Sequence, residues 1–125
     1  MEKNGKGLTA IHTISPYVML GIISPEPTYI ITRICECYGV TEIEMQSRCR
    51  KETIRECRQV NHAVLKAFTK LSLKDIGLLA GRVDHATVLH SIRTVRNMYQ
   101  TDKAFRKKFD RVISQNGLKL ETMKF

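Results

Sequence analysis

One stretch constrains the fold of this chain more than any other: Leu71 to Ile92, LSLKDIGLLAGRVDHATVLHSI. It reads as two amphipathic helices joined by a glycine turn. Ser72 stands where a first helix needs an N-cap, and Leu73, Ile76 and Leu79 fall on its inner face. Gly81 stands where that helix ends and the backbone needs a positive φ. Asp84 then caps a second helix, its charge matched to the positive end of the helix dipole. Along that helix Val88, Ile92, Val95 and Tyr99 form one narrow apolar stripe. Ala86, His90, Arg93 and Asn97 lie opposite. A small, polar and basic outer face on a helix that follows a tight turn is what a major-groove reader requires. Any two packed amphipathic helices share the bare pattern, so the rest of the chain has to decide.

A chain of 125 residues is long enough for one domain around one core. Its formal charge of +9 is unevenly distributed, since Arg48 to Arg111 holds 16 Lys and Arg against 6 Asp and Glu. That span is net +10 and everything outside it sums to −1. A positive stripe attracts polyanions or anionic membranes, or serves only as a solvated surface, and charge alone does not choose. No run approaches the roughly 20 apolar residues of a membrane span, and Tyr17 to Ile23 lacks the flanks of a secretory signal. The expected location is the cytoplasm. Cys35, Cys37, Cys49 and Cys57 show no zinc-ligand spacing, and the first two point about 200° apart on a helix. They are expected to be small buried or half-buried hydrophobes, with no metal bound.

Taken in order, residues 1–27 carry Gly5, Gly7, Pro16, Gly21, Pro25 and Pro27 among apolar residues and read as an ordered arm. Whether it covers its own core or a second copy is left open. Helices follow over Pro27 to Tyr38, ended by Gly39, and over Glu42 to Ser47. The next runs from Lys51 or Thr53 to Thr69, with an inner stripe of Val60, Ala63, Val64, Ala67 and Phe68. Arg55, Arg58, Gln59, His62, Lys66 and Lys70 are its expected outer surface. Thr101 is expected to cap a last helix from Asp102 to Gln115, which buries Phe105, Phe109, Val112 and Ile113. Lys103, Arg106, Lys107, Lys108 and Arg111 form its solvated face. Gly117 ends it, and the tail to Phe125 is expected to be loosely held. The fold class is all-α, with an arm over 1–27, a domain over 28–116 and a tail over 117–125.

Three blocks now point to a family. RCRKETIRECRQV, Arg48 to Val60, looks like a basic loop ending in an Arg-Gln pair. LSLKDIG, Leu71 to Gly77, and DHATVLH, Asp84 to His90, follow at matching spacing, the last close to the pattern D-H-T-T-V-x-H. Together they resemble the C-terminal DNA-binding domain, domain IV, of DnaA, the bacterial chromosomal replication initiator. That domain belongs to the Trp-repressor-like helix-turn-helix superfamily, so the resemblance implies a Trp-repressor-like helical bundle.

The resemblance also implies contacts. Arg50 matches the arginine that enters the minor groove, where a narrow A·T-rich groove concentrates negative potential. Asp84, His85, Ala86 and Thr87 match the base-reading start of the recognition helix. Arg48, Lys51, Arg58, Lys66, Leu73, Lys74, Arg82 and Arg93 match or flank phosphate-contacting positions. His90 matches a half-buried packing residue. Some residues depart from the pattern. Gly81, Arg82 and Val83 stand where the family has Gly-Gly-Arg, Ala86 replaces a threonine, and Glu52 and Glu56 add negative charge that should trim phosphate affinity. No G-x-x-x-x-G-K-[ST] loop is present.

The expectation is therefore a free-standing, non-catalytic DNA-binding domain, with no cofactor and no nucleotide. It would recognise double-stranded DnaA-box-like sites at origins or promoters and regulate replication initiation or transcription. The alternative is a protein-interaction adaptor that docks the same fold on the replication initiator or another protein.

Overall fold

The computed structural model describes residues 26–123 and 125. The arm expected over 1–27 therefore lies almost wholly outside the described residues. Six α-helices follow in order: α1 Pro27–Tyr38, α2 Glu42–Gln46, α3 Glu52–Phe68, α4 Leu73–Leu79, α5 His85–Thr101 and α6 Lys103–Gln115. A 3-10 turn, Leu120–Met123, closes the described chain. No strand occurs among the described residues.

Local chemistry sets these boundaries. Pro27 opens α1, where a missing amide costs nothing. Gly39, at φ 65°, closes it, and the amides of Gly39 and Val40 return to the carbonyls of Glu36 and Cys35. α2 is only five residues long and rests on a capping box between Thr41 and Glu44. α3 is the central helix. It packs against α1, α2, α4, α5 and the 3-10 turn, which explains why it buries residues on several faces at once, Ile54, Cys57, Val60, Val64, Leu65 and Phe68 among them.

That centrality corrects the sequence reading of α3 as half solvated. His62, expected outside, is fully buried. Four further expectations change. In α4 Ile76 is buried, but Leu79 is 36% exposed and Ala80 takes the inner position instead. α6 is capped by Asp102, whose carboxylate accepts from the Phe105 amide at 3.1 Å, and Thr101 closes α5. Cys35 and Cys57 are buried as expected, whereas Cys37 and Cys49 are exposed. The tail packs down, with Met123 buried and the Phe125 ring 5.4 Å from Tyr99 and 5.6 Å from Phe109. An aromatic residue two positions past Met123 gives the last segment apolar surface to bury, which a reading from glycine and charge alone overlooks.

Candidate nucleic-acid interface

The second helix of the motif, α5, begins on a capped, fully presented turn. Asp84 is extended, and its carboxylate accepts from the Thr87 amide at 2.9 Å. Those bonds from Thr87 hold the carboxyl below its ordinary range, so it stays ionised. Asp84, His85, Ala86 and Thr87 are all exposed, as is Arg93 one turn and a half further on. His90 is exposed too, with its Nε2 3.5 Å from Thr94 Oγ1, which corrects its expected half-buried packing role.

The turn before α5 is tight because three residues allow it. Gly81 has φ 97°, and Arg82 has φ 53°, the only positive value outside glycine among the described residues. Gly77 lets α4 approach the turn. The Val83 amide donates to the Gly77 carbonyl at 3.0 Å, and a Cβ on Gly77 would stand 2.1 Å from the Val83 carbonyl oxygen. No side chain fits there.

The basic loop sits beside this turn. Arg48, Arg50 and Lys51 are exposed. Behind them Arg58, on α3, gives its Nε to the Met45 carbonyl at 2.9 Å, and its Nη2 to Ser47 at 2.7 Å and Cys49 at 3.4 Å. Much of the guanidinium implied to meet phosphate thus holds the loop in place. Its stem lies under the turn, where a Cβ on Gly81 would stand 2.7 Å from Arg58 Cδ. Arg48, Arg58, Gly81, Arg82, Asp84 and Thr87 line one open cleft between the loop and α5. Lys66, Lys74 and Arg82 are exposed, and Leu73 is half-buried behind the Ser72 cap. Glu56 is not free to oppose phosphate. It accepts from Tyr38 Oη at 2.6 Å and from Lys108 Nζ at 2.9 Å, a lysine that stays exposed on the solvated face expected of α6.

Three residues organise the site in ways the sequence did not indicate, His62 having been expected on the outer surface. Gln46 closes α2 with both sides of its amide on the turn. His62 gives Nε2 to the Ala80 carbonyl at 2.6 Å and sets Nδ1 2.8 Å from the hydroxyl of Ser91 on α5. A carbonyl only accepts, so Nε2 carries the proton and Nδ1 accepts from Ser91 when the ring is neutral. Burial lowers the pKa of His62 and favours that neutral form. Ser91, 3% exposed, breaks the apolar stripe of α5 to make this bond. Nothing in periodicity marks a polar residue as an inward partner when the helix carrying it is enclosed on several sides.

Among the described residues no group of histidine, cysteine, aspartate or glutamate could hold a metal ion, and no helix is long and apolar enough to cross a membrane.

Residues 27–95 match the family model of the bacterial DnaA protein helix-turn-helix. The chain is 41% identical over 81 residues to the chromosomal replication initiator protein DnaA of Flavobacterium psychrophilum, covering 64% of this chain and 17% of that protein. It is 35% identical over 80 residues to the DnaA of Wolbachia pipientis wMel, with 64% and 17% covered. Against the DnaA of Bacteroides fragilis it is 32% identical over 83 residues, with 66% and 17% covered. The matched part is thus about 17% of the length of these relatives. The matched span runs from the first residue of α1 to Val95 of α5 and takes in the basic loop, Arg58, the glycine turn and the capped first part of α5. The chain belongs to the family of helix-turn-helix DNA-binding domains carried by the bacterial DnaA proteins.

Proposed function

We propose that this chain binds duplex DNA sequence-specifically, at sites resembling the DnaA box, and through that binding regulates replication initiation or transcription. The observation that carries the reading is the side-by-side presentation of two groove-sized elements. Arg48 of the loop and Asp84 and Thr87 of the first turn of α5 line one cleft with Arg58 and Arg82, and Arg50 next along the loop and His85 and Ala86 on that turn are exposed. The first suits the narrow minor groove and the second the base edges of the major groove. His85 offers a donor or acceptor to a base, Thr87 a hydroxyl and a methyl, and Ala86 a methyl for thymine. Arg48, Lys51, Lys66, Lys74, Arg82 and Arg93 supply phosphate contacts that fix the register. Arg58 serves mainly to hold the loop.

The test is binding of a labelled duplex carrying a DnaA box against a scrambled duplex of equal length at physiological salt. A preference of roughly 1,000-fold or more is expected, the range by which specific sites exceed nonspecific ones. Equal affinity for both would leave electrostatic attraction only. Charge reversal at Arg50 should abolish the preference. If it left DNA binding intact while a protein partner were lost, the adaptor reading would replace this one.

A further inference from the structure

Gln46 is uncharged and half-exposed, yet it joins the two elements that the proposed function needs. Its Nε2 donates to the Leu79 carbonyl, and its Oε1 accepts from the Gly81 amide at 2.7 Å. The orientation of the amide is forced, because a main-chain N–H only donates and a carbonyl only accepts. Both partners are groups left over where α4 ends and the turn begins. One residue further on, Ser47 opens the loop, and its carbonyl is held by Arg58. The Arg58 stem also lies against Gly81. Gln46 and Arg58 therefore both tie the loop to the turn at Gly81, one through its amide and one through packing.

We infer that Gln46 is a positioning residue that locks the minor-groove loop and the helix-turn-helix into one rigid reading head. Arg50 and the His85 to Thr87 turn then meet DNA at a fixed separation, without Gln46 touching it. This rests on the duplex-binding reading above. Two contacts on one rigid body bind as one event, the second at high effective concentration. Once the clamp is cut, the loop and the helix engage more independently and part of that gain is lost.

The test uses the whole chain with Gln46→Ala and Gln46→Glu. The glutamate keeps an acceptor for Gly81 and removes the donor to Leu79. In free protein the Gly81 amide should exchange with solvent at least tenfold faster in Gln46→Ala. Box affinity should fall about tenfold with the salt slope unchanged, since no cation is removed. The decisive readout is a double-mutant cycle. Arg50→Ala should cost at least threefold less in the Gln46→Ala background than in the native one, and Gln46→Glu should fall between. Additive losses, or unchanged exchange at Gly81, would overturn the inference. If Gln46→Ala melts, the same cycle run on Gln46→Glu decides. If the native chain shows no box preference, the proposed function fails instead, and amide exchange still tests the clamp.

Discussion

At the scale of single residues, the turn depends on what is missing from Gly77 and on what is strained at Arg82. Gly77→Ala places a methyl 2.1 Å from the Val83 carbonyl, against backbone rather than a yielding side chain. It should cost about 3 kcal/mol and lower the melting temperature by more than 10 °C, read by circular dichroism. Arg82 sits at φ 53°, a conformation costing a side-chain-bearing residue about 1 kcal/mol or more. The family pattern has glycine there, and the strain gives the physical reason. Arg82→Gly should therefore stabilise the fold by about 1 kcal/mol, while lowering the salt slope of DNA binding by about 1 if the guanidinium meets phosphate. An unchanged slope would remove Arg82 from the contact set. Gly81 was legible in the sequence as a helix stop, because glycine after an apolar period has few other uses. Gly77 was not, since a glycine inside a helix announces a close approach only once the approaching backbone is known.

At the scale of elements, caps and periodicity were readable and partnerships were not. Pro27, Gly39, Ser72, Asp84 and Gly117 act as local signals, and the helices stand where those signals put them. His62, Ser91 and Gln46 act across 18 to 35 residues of sequence, and a pattern of hydrophobicity carries no information about such pairs. His62 has a measurable consequence. Burial holds its pKa below the unfolded value of 6.5, so the unfolded chain takes up the proton more readily. This contribution to stability is complete above pH 6.5 and is lost as the pH falls below it, at up to about 1.4 kcal/mol per pH unit. Thermal melts from pH 7.5 to pH 5 should fall more steeply for the native chain than for His62→Gln. Parallel curves would mean that His62 titrates normally and that the bridge to Ser91 and Ala80 is weaker than its geometry indicates.

For the whole molecule, the charge asymmetry visible in the sequence becomes a surface with two functions that can be separated. The net +10 between Arg48 and Arg111 comprises cations already engaged within the fold and cations left to solvent. Arg58 holds the loop, Arg106 holds the carbonyls of Tyr99 and Gln100, and Lys108 holds Glu56. Arg48, Lys51, Lys66, Lys74, Arg82 and Arg93 stay exposed. If those six each displace one counterion, log affinity should fall with log salt at a slope of roughly −5. Lys66→Ala should then weaken box and scrambled duplexes by the same factor and flatten the slope by about 1. His85→Ala removes neither a lysine nor an arginine. It should leave the slope and the scrambled duplex unchanged while costing about 1–3 kcal/mol on the box, because only a base edge loses its partner. Fluorescence anisotropy at four salt concentrations resolves both effects. If the two variants behave alike, the first turn of α5 faces phosphate rather than bases, and the recognition surface must be sought elsewhere on the helix.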